Sequence, residues 1–208
     1  MTEAIIAPAT PAQQKGKFVD EEHFEEEATI EEAIVTYNRA CARMLNPPVW
    51  EQLTGGKNVS FKLATTSQDE VQRLAQVDDY FKIDLPGPGS ATGEGYDWVK
   101  VETVEENTAT DAEDSLAMRL RACSNPHNPA EGVAHFFNED ATSTFIVRRK
   151  GLRVSFSYHG RNEVSNTSEV PVLDKMRNAV VALGAEAGLS AVFWSGLVKA
   201  MLQKEIGG

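Results

Sequence analysis

The chain has 208 residues, 41% hydrophobic and 25% charged, with a formal net charge of −11. That length makes one large domain or two small ones and buries a core without staples. Two cysteines, Cys41 and Cys123, are too few for a disulfide framework. The chain holds no apolar run of about 18 residues, the length a membrane helix needs, and its first residues lack the basic and apolar stretches of a secretory leader. A cytoplasmic protein with reduced thiols is therefore expected.

The charge is uneven. Residues 1–32 hold nine acids against Lys15 and Lys17, a net −7, which leaves −4 for the other 176 residues. Nucleic acid and anionic membrane surfaces are excluded as expected partners, because both demand clustered Lys and Arg. The stretch Ala7-Pro8-Ala9-Thr10-Pro11-Ala12-Gln13-Gln14 is broken by proline and almost free of large apolar groups, so it buries too little to offset its ordering entropy. Residues 1–28 are thus expected to be an acidic arm, disordered or ordered by a partner, ahead of a single domain over 29–208. Ile5, Ile6, Phe18, Val19 and Phe24 are the apolar anchors such an arm would offer.

Thr29-Ile30-Glu31-Glu32 reads as a capping box. Ile30, Ile34, Tyr37, Cys41 and Met44/Leu45 then recur at spacings of three and four, predicting a helix that Asn46-Pro47-Pro48 ends. Val49–Leu53 predicts a short helical turn. Val59–Leu63 alternates as a strand, Gln68–Val77 predicts a short helix presenting Val71 and Leu74, and Tyr80–Leu85 alternates again. After the Pro/Gly-rich stretch 86–95 come strands over Tyr96–Val104 and Leu116–Leu120. Thr142–Arg148 and Leu152–His159 form the clearest hairpin, turned at Gly151. Leu173, Met176, Val180, Leu183 and Ala187 predict a helix closed by Gly188, and Ser190 caps a last helix carrying Phe193, Trp194, Leu197 and Met201. The expected fold is α+β: a curved, mainly antiparallel sheet of about six strands with an N-terminal helix and two C-terminal helices packed on it.

The glycine-rich stretch runs into a strand, whereas a phosphate loop must run into a helix whose amides hold the anion; no nucleotide cofactor is expected. Between Cys123 and Asp140 lies a long connection with His127, His135, Glu131 and Glu139. Its spacing matches no compact ligand motif, so no metal is expected. In the strand after the glycine-rich stretch, Val99, Val101 and Thr103 are assigned to the core, which puts Tyr96 and Trp98 on the polar face as candidate ligand-binding aromatics. Tyr158-His159-Gly160-Arg161-Asn162-Glu163 concentrates polar groups at a strand end. His159 and Arg161 join the candidate ligand set. His159, His135 and Glu163 are the candidate acid–base groups.

Three function classes follow, in decreasing order of support. The first is a non-catalytic interaction or structural subunit of a larger assembly, using the acidic arm on a protein partner or a second copy. The second is a carrier of a small apolar or amphipathic ligand, with a cavity between sheet and helices. The third is a His/carboxylate enzyme. The element order resembles helix-grip and related ligand-binding α+β folds, a likeness that does not fix function.

Overall fold

The computed structural model describes residues 9–55, 59–85, 90, 92–110, 112–166 and 191–204. In chain order these form β1 (Lys17–Glu26), α1 (Ile30–Met44), a 3-10 turn (Pro47–Val49) running into α2 (Trp50–Leu53), β2 (Ser60–Ala64), β3 (Tyr80–Asp84), β4 (Asp97–Thr110), β5 (Glu113–Ala122), β6 (Thr142–Lys150), β7 (Arg153–Glu163) and α3 (Ala191–Leu202). The seven strands make one curved antiparallel sheet in the order β1-β7-β6-β5-β4-β3-β2, and α1 and α3 pack on its inner face. The fold is α+β. Among the described residues no helix is long and apolar enough to cross a membrane.

Period-two patterning sets the two faces. Leu116, Met118 and Leu120 on β5, Phe145 and Val147 on β6, and Val154, Phe156 and Tyr158 on β7 all turn inward to one core. Trp50, fully buried, stands at its centre, with ring centroids 5.1 Å from Phe61, 5.6 Å from Phe81 and 5.1 Å from Phe145. Its indole N–H donates to the Arg43 carbonyl at 2.9 Å, so the polar edge of the ring is satisfied inside the core. The β6–β7 hairpin forms as expected, with Gly151 at φ +59 in the turn.

The seventh strand is the main departure from expectation. Residues 17–26, assigned to a disordered or partner-ordered arm, are β1, paired along β7 from Lys17↔Glu163 to Glu26↔Arg153. Charge density hid an alternating pattern: Val19, Glu21 and His23 turn inward, half-buried, while Phe18, Asp20, Glu22 and Phe24 turn outward. Two of the acids meet arginines of β7, Asp20 with Arg161 at 2.7 Å and Glu26 with Arg153 at 2.6 Å. The residues before β1 are also tied down. Ala9 packs against Ala117 and Ile146 on the outer face, Arg119 donates to the Ala9 carbonyl at 3.1 Å, and the Asn162 side chain accepts from the Gln14 amide at 2.8 Å. Ile5, Ile6, the expected helix over 173–187 and Pro86–Gly89 lie outside the described residues.

Two local expectations also change. Thr29 caps α1 as read, accepting from the Glu32 amide at 3.2 Å. The buried face of α1 is nevertheless Ala33, Tyr37, Ala40 and Met44, while Ile30 and Ile34 stay exposed; small residues bring the helix close to the sheet. Gln68–Val77 is not helical. Its amides bond to other elements, Val71 to the Leu63 carbonyl at 2.8 Å and Ala75 to the Leu45 carbonyl at 2.7 Å, leaving no i−4 ladder.

The position of α3 depends on α1. Buried Arg43 donates through Nη1 to the carbonyls of Ala200, Met201 and Gln203 at 3.2, 3.1 and 2.6 Å, and Arg39 reaches the Leu202 carbonyl at 3.1 Å. Arg43→Met keeps the stem and removes the donors. It should lower unfolding stability by roughly 2–4 kcal/mol, since each buried acceptor left unpaired costs about 1 kcal/mol or more, as read by urea denaturation.

Candidate functional site

Where α3 lies over the sheet, a cavity of about 80 Å³ remains. Its walls are mostly aromatic: Trp50, Phe61, Phe81, Phe145, Tyr158 and Trp194. Aliphatic side chains of Val19, Ile83, Leu85, Val99 and Leu120 add to them. Trp194 forms the α3 side, stacked on Tyr158 with centroids 4.1 Å apart and planes 14° apart. The remaining wall is His135-Phe136-Phe137, from the connection between β5 and β6. That connection is pinned to the chain after β7, because Asn166 donates to the His135 carbonyl at 3.1 Å and Asn138 N–H to the Val164 carbonyl at 2.9 Å.

One end of the cavity is polar. Ser143, His135 and Glu163 line both the main cavity and a side chamber of about 20 Å³, room for about one water molecule. The Tyr158 and Ser143 hydroxyls are 3.3 Å apart, and Tyr158 also hydrogen-bonds Glu163. Gly160 makes this possible. A Cβ there would collide with Glu163 Oε1 and stand 3.0 Å from Tyr158 Oη, so a larger residue would displace the carboxyl from its place.

Burial governs the ionisation of these groups. It raises the pKa of Glu163 above the usual carboxylate range, against the hydrogen bond from Tyr158 and the nearby charges of Lys17 and Arg161, all of which lower it. The Tyr158 phenol is likewise pushed up by burial. His135 moves the other way, down to about 3, again through burial. Its Nδ1 accepts from the Phe137 amide at 3.0 Å, which leaves the neutral ring's proton on Nε2. A neutral imidazole, a half-buried carboxyl and two hydroxyls thus share one end of an aromatic chamber.

This arrangement divides the residues singled out from the sequence. His135 and Glu163 come together in the cavity. His159 does not join them: it sits on the outer face, with Nδ1 2.6 Å from Asp20 Oδ1 and Nε2 3.0 Å from Ser157 Oγ, beside Arg161 on the same carboxylate. Trp98 is buried on the outer side in a small cluster with Ala64 and Ala134, its indole N–H 3.4 Å from the Gly93 carbonyl. Tyr96 is half-buried beside it, with the Lys82 ammonium 4.1 Å from its ring centroid. None of Tyr96, Trp98, His159 and Arg161 lines the cavity. Thr103 departs from the inward row because the β4 pairing shifts between Val101 and Thr103. The extra residue, Glu102, accepts from Arg119 and Arg121, and Val104 packs on the core in place of Thr103.

The arm's apolar residues divide too. Val19 faces the cavity, whereas Phe18 and Phe24 are exposed on the outer face, against the guanidiniums of Arg161 at 5.7 Å and Arg153 at 4.1 Å. Sequence reasoning missed the aromatic walls, though Phe61, Phe81 and Phe145 each occupy an inward position of an alternating strand. Among the described residues, no three His, Cys, Asp or Glu side chains gather as metal ligands would.

No protein-family model matches the chain, and no curated protein matches it. Solved structures similar in outline include protein Ms6760 from Mycobacterium smegmatis, 15% identical over 88% of this chain and 90% of that one, with a TM-score of 0.38. Ara h 8.0201 is 8% identical over 89% of this chain and 99% of its own, with a TM-score of 0.36. Major latex-like protein 151 from Panax ginseng is 13% identical over 82% and 99%, with a TM-score of 0.33. At these scores no residue or role is transferred.

The buried histidine has a consequence for stability. An unfolded histidine takes up its proton near pH 6.5, while folded His135 stays neutral down to about 3. Between those values the unfolded chain binds the extra proton, so stability falls as pH drops through that window, by up to about 1.4 kcal/mol per pH unit. Glu163 has the opposite sign, its raised pKa favouring the folded state at low pH and losing that contribution as pH rises through its titration. His135→Gln should therefore lose stability less steeply than the parent between about pH 6 and 4, measured by urea midpoints across that range.

Proposed function

We propose that this protein binds a small, largely apolar ligand carrying one polar group, in the cavity between the inner face of the sheet and α3. The observation that carries the reading is the cavity itself, a chamber whose described lining includes eight aromatic side chains, with its polar side chains gathered at one end. Apolar walls with a few convergent polar groups are the general signature of a ligand site. The size sets a bound: about 80 Å³ is roughly half the ~150 Å³ of a cavity that takes up benzene, so the ligand is no larger than a substituted ring and its entry shifts neighbouring side chains. The cytoplasm is the proposed compartment.

A second reading keeps the assembly role first drawn from the acidic segment. What favours it is that β1 is an edge strand with Phe18 and Phe24 exposed, and an open strand edge can pair with another chain. The acids of β1 are nevertheless part of the folded sheet, and the segment is no longer a free arm, so the cavity is the better-supported site. That His135 and Glu163 meet in the cavity also leaves acid–base chemistry on a bound ligand as a use of this same site.

Benzyl alcohol, a neutral single-ring probe, tests the proposal. At ten times its Kd it should stabilise the protein by about 1.4 kcal/mol, a rise in Tm of roughly 3–6 °C for a chain of this size. Val99→Phe, which fills the wall shared by both chambers, should abolish that rise. An absent shift in the parent, or an equal shift in Val99→Phe, contradicts the proposal; a dimer in sedimentation that dissociates on Phe18→Ser/Phe24→Ser would move the function to the β1 edge.

A further inference from the structure

The cavity reading leaves the charge of the ligand open, and the lining residues bear on it. Resting on that reading, we propose that the site selects amines, taking a small arylalkylamine as its ammonium form against the Glu163 carboxylate.

Three independent features support this. First, among the described lining residues of both chambers Glu163 is the one carboxylate, and none is a lysine or arginine. His135 supplies no positive charge, since its buried ring is neutral with the proton on Nε2. Second, among the described residues no cation lies within ion-pair distance of Glu163. Of the two charges that act on it at longer range, Arg161 pairs with Asp20 at 2.7 Å on the outer face, and Lys17 is its cross-strand neighbour on β1. A carboxyl drawn into an aromatic chamber with no direct ion-pair partner keeps a preference for one. Third, the aromatic walls are themselves cation-attracting, because ring faces carry the negative end of the quadrupole. Tyr158, whose hydroxyl partners the carboxyl, and Trp194, stacked on its ring, give an ammonium both a ring face and an oxygen.

The same features disfavour the alternatives. An organic acid would bring a second negative charge beside Glu163 with no lysine or arginine in the lining to meet it. A neutral alcohol can bond to Glu163 or Tyr158 but gains nothing from the charge. The groups around Glu163 fix the sign of the pH dependence: Tyr158 and Arg161 on β7, Lys17 on β1, and His135 from the loop. Burial holds the empty site's carboxyl partly toward its neutral form, and an incoming ammonium draws it back to the carboxylate. Amine affinity should therefore increase with pH through the Glu163 titration and level off while the ligand remains protonated. Alcohol affinity should not increase.

Benzylamine, benzyl alcohol and benzoate share one ring and differ in charge at pH 7.5, so calorimetric titration of the full chain with each isolates the effect. Benzylamine is expected to bind at least about tenfold more tightly than benzyl alcohol, the scale of a charge-assisted over a neutral hydrogen bond, with benzoate weakest. Glu163→Gln, close in shape, should bring amine and alcohol to within about twofold of each other. A second reading needs no variant: in the parent, the amine-to-alcohol ratio should grow as pH rises from the ordinary carboxylate range to neutrality. Alcohol binding as tight as amine, a ratio flat with pH, or a preference that survives in a folded Glu163→Gln overturns amine selection while leaving the cavity intact. If none of the three binds, the cavity reading itself fails.

Discussion

The last backbone carbonyls of a helix have no partners within it and carry the negative end of its dipole. In this protein two arginines from another helix supply what α3 lacks. Arg43 gathers the carbonyls of Ala200, Met201 and Gln203, Arg39 takes that of Leu202, and Lys204 just beyond pairs with buried Glu27 at 3.1 Å. Glu27 in turn accepts from Thr36 on α1 at 2.6 Å, which together with Lys204 holds its pKa low. This cap fixes α3 across β1 and β7, and the rest of the site follows from it. Trp194 can stack on Tyr158 only while α3 is held at that height, and the cavity exists because the helix spans the curved sheet without filling the space beneath it.

The two faces of the sheet carry different chemistry. The inner face is apolar along β5, β6 and β7 until it reaches Ser143, Tyr158 and Glu163, where polar groups collect at the end of the chamber. The outer face is a field of paired charges, with Glu102 between Arg119 and Arg121, Asp20 between Arg161 and His159, and Glu26 on Arg153. Exposed pairs of this kind add little stability each, but they explain how a segment as acidic as β1 is accommodated at the edge of the sheet. Its acids answer a basic neighbour.

Much of this architecture was legible in the chain. The Thr29 cap, the alternation of β5 and the Gly151 hairpin are local patterns, and local patterns survive folding. What escaped was decided by partners distant in sequence. β1 read as a solvated arm because its acids were counted without the arginines of β7 that receive them. Gln68–Val77 read as a helix because its apolar spacing allowed one, while its amides were claimed by Leu63 and Leu45. Trp98 was correctly separated from the row of Val99 and Val101, yet the opposite face at that point is roofed by the connection before β6 rather than open to a ligand. Glu163 and His135 were named as candidate groups among others. Their meeting in one cavity depends on Asn166 and Asn138 tying two loops together, which no spacing within either loop reveals.

The three tryptophans allow the central claim to be tested at one stroke. Trp50 and Trp194 line the cavity, and Trp98 lies on the other side of the sheet. With 5-fluorotryptophan incorporated throughout, each indole gives its own fluorine resonance, and titration with a single-ring ligand should move those of Trp50 and Trp194 together while Trp98 stays in place. Movement of Trp98 alone would put the ligand on the outer face and contradict the assignment of the site.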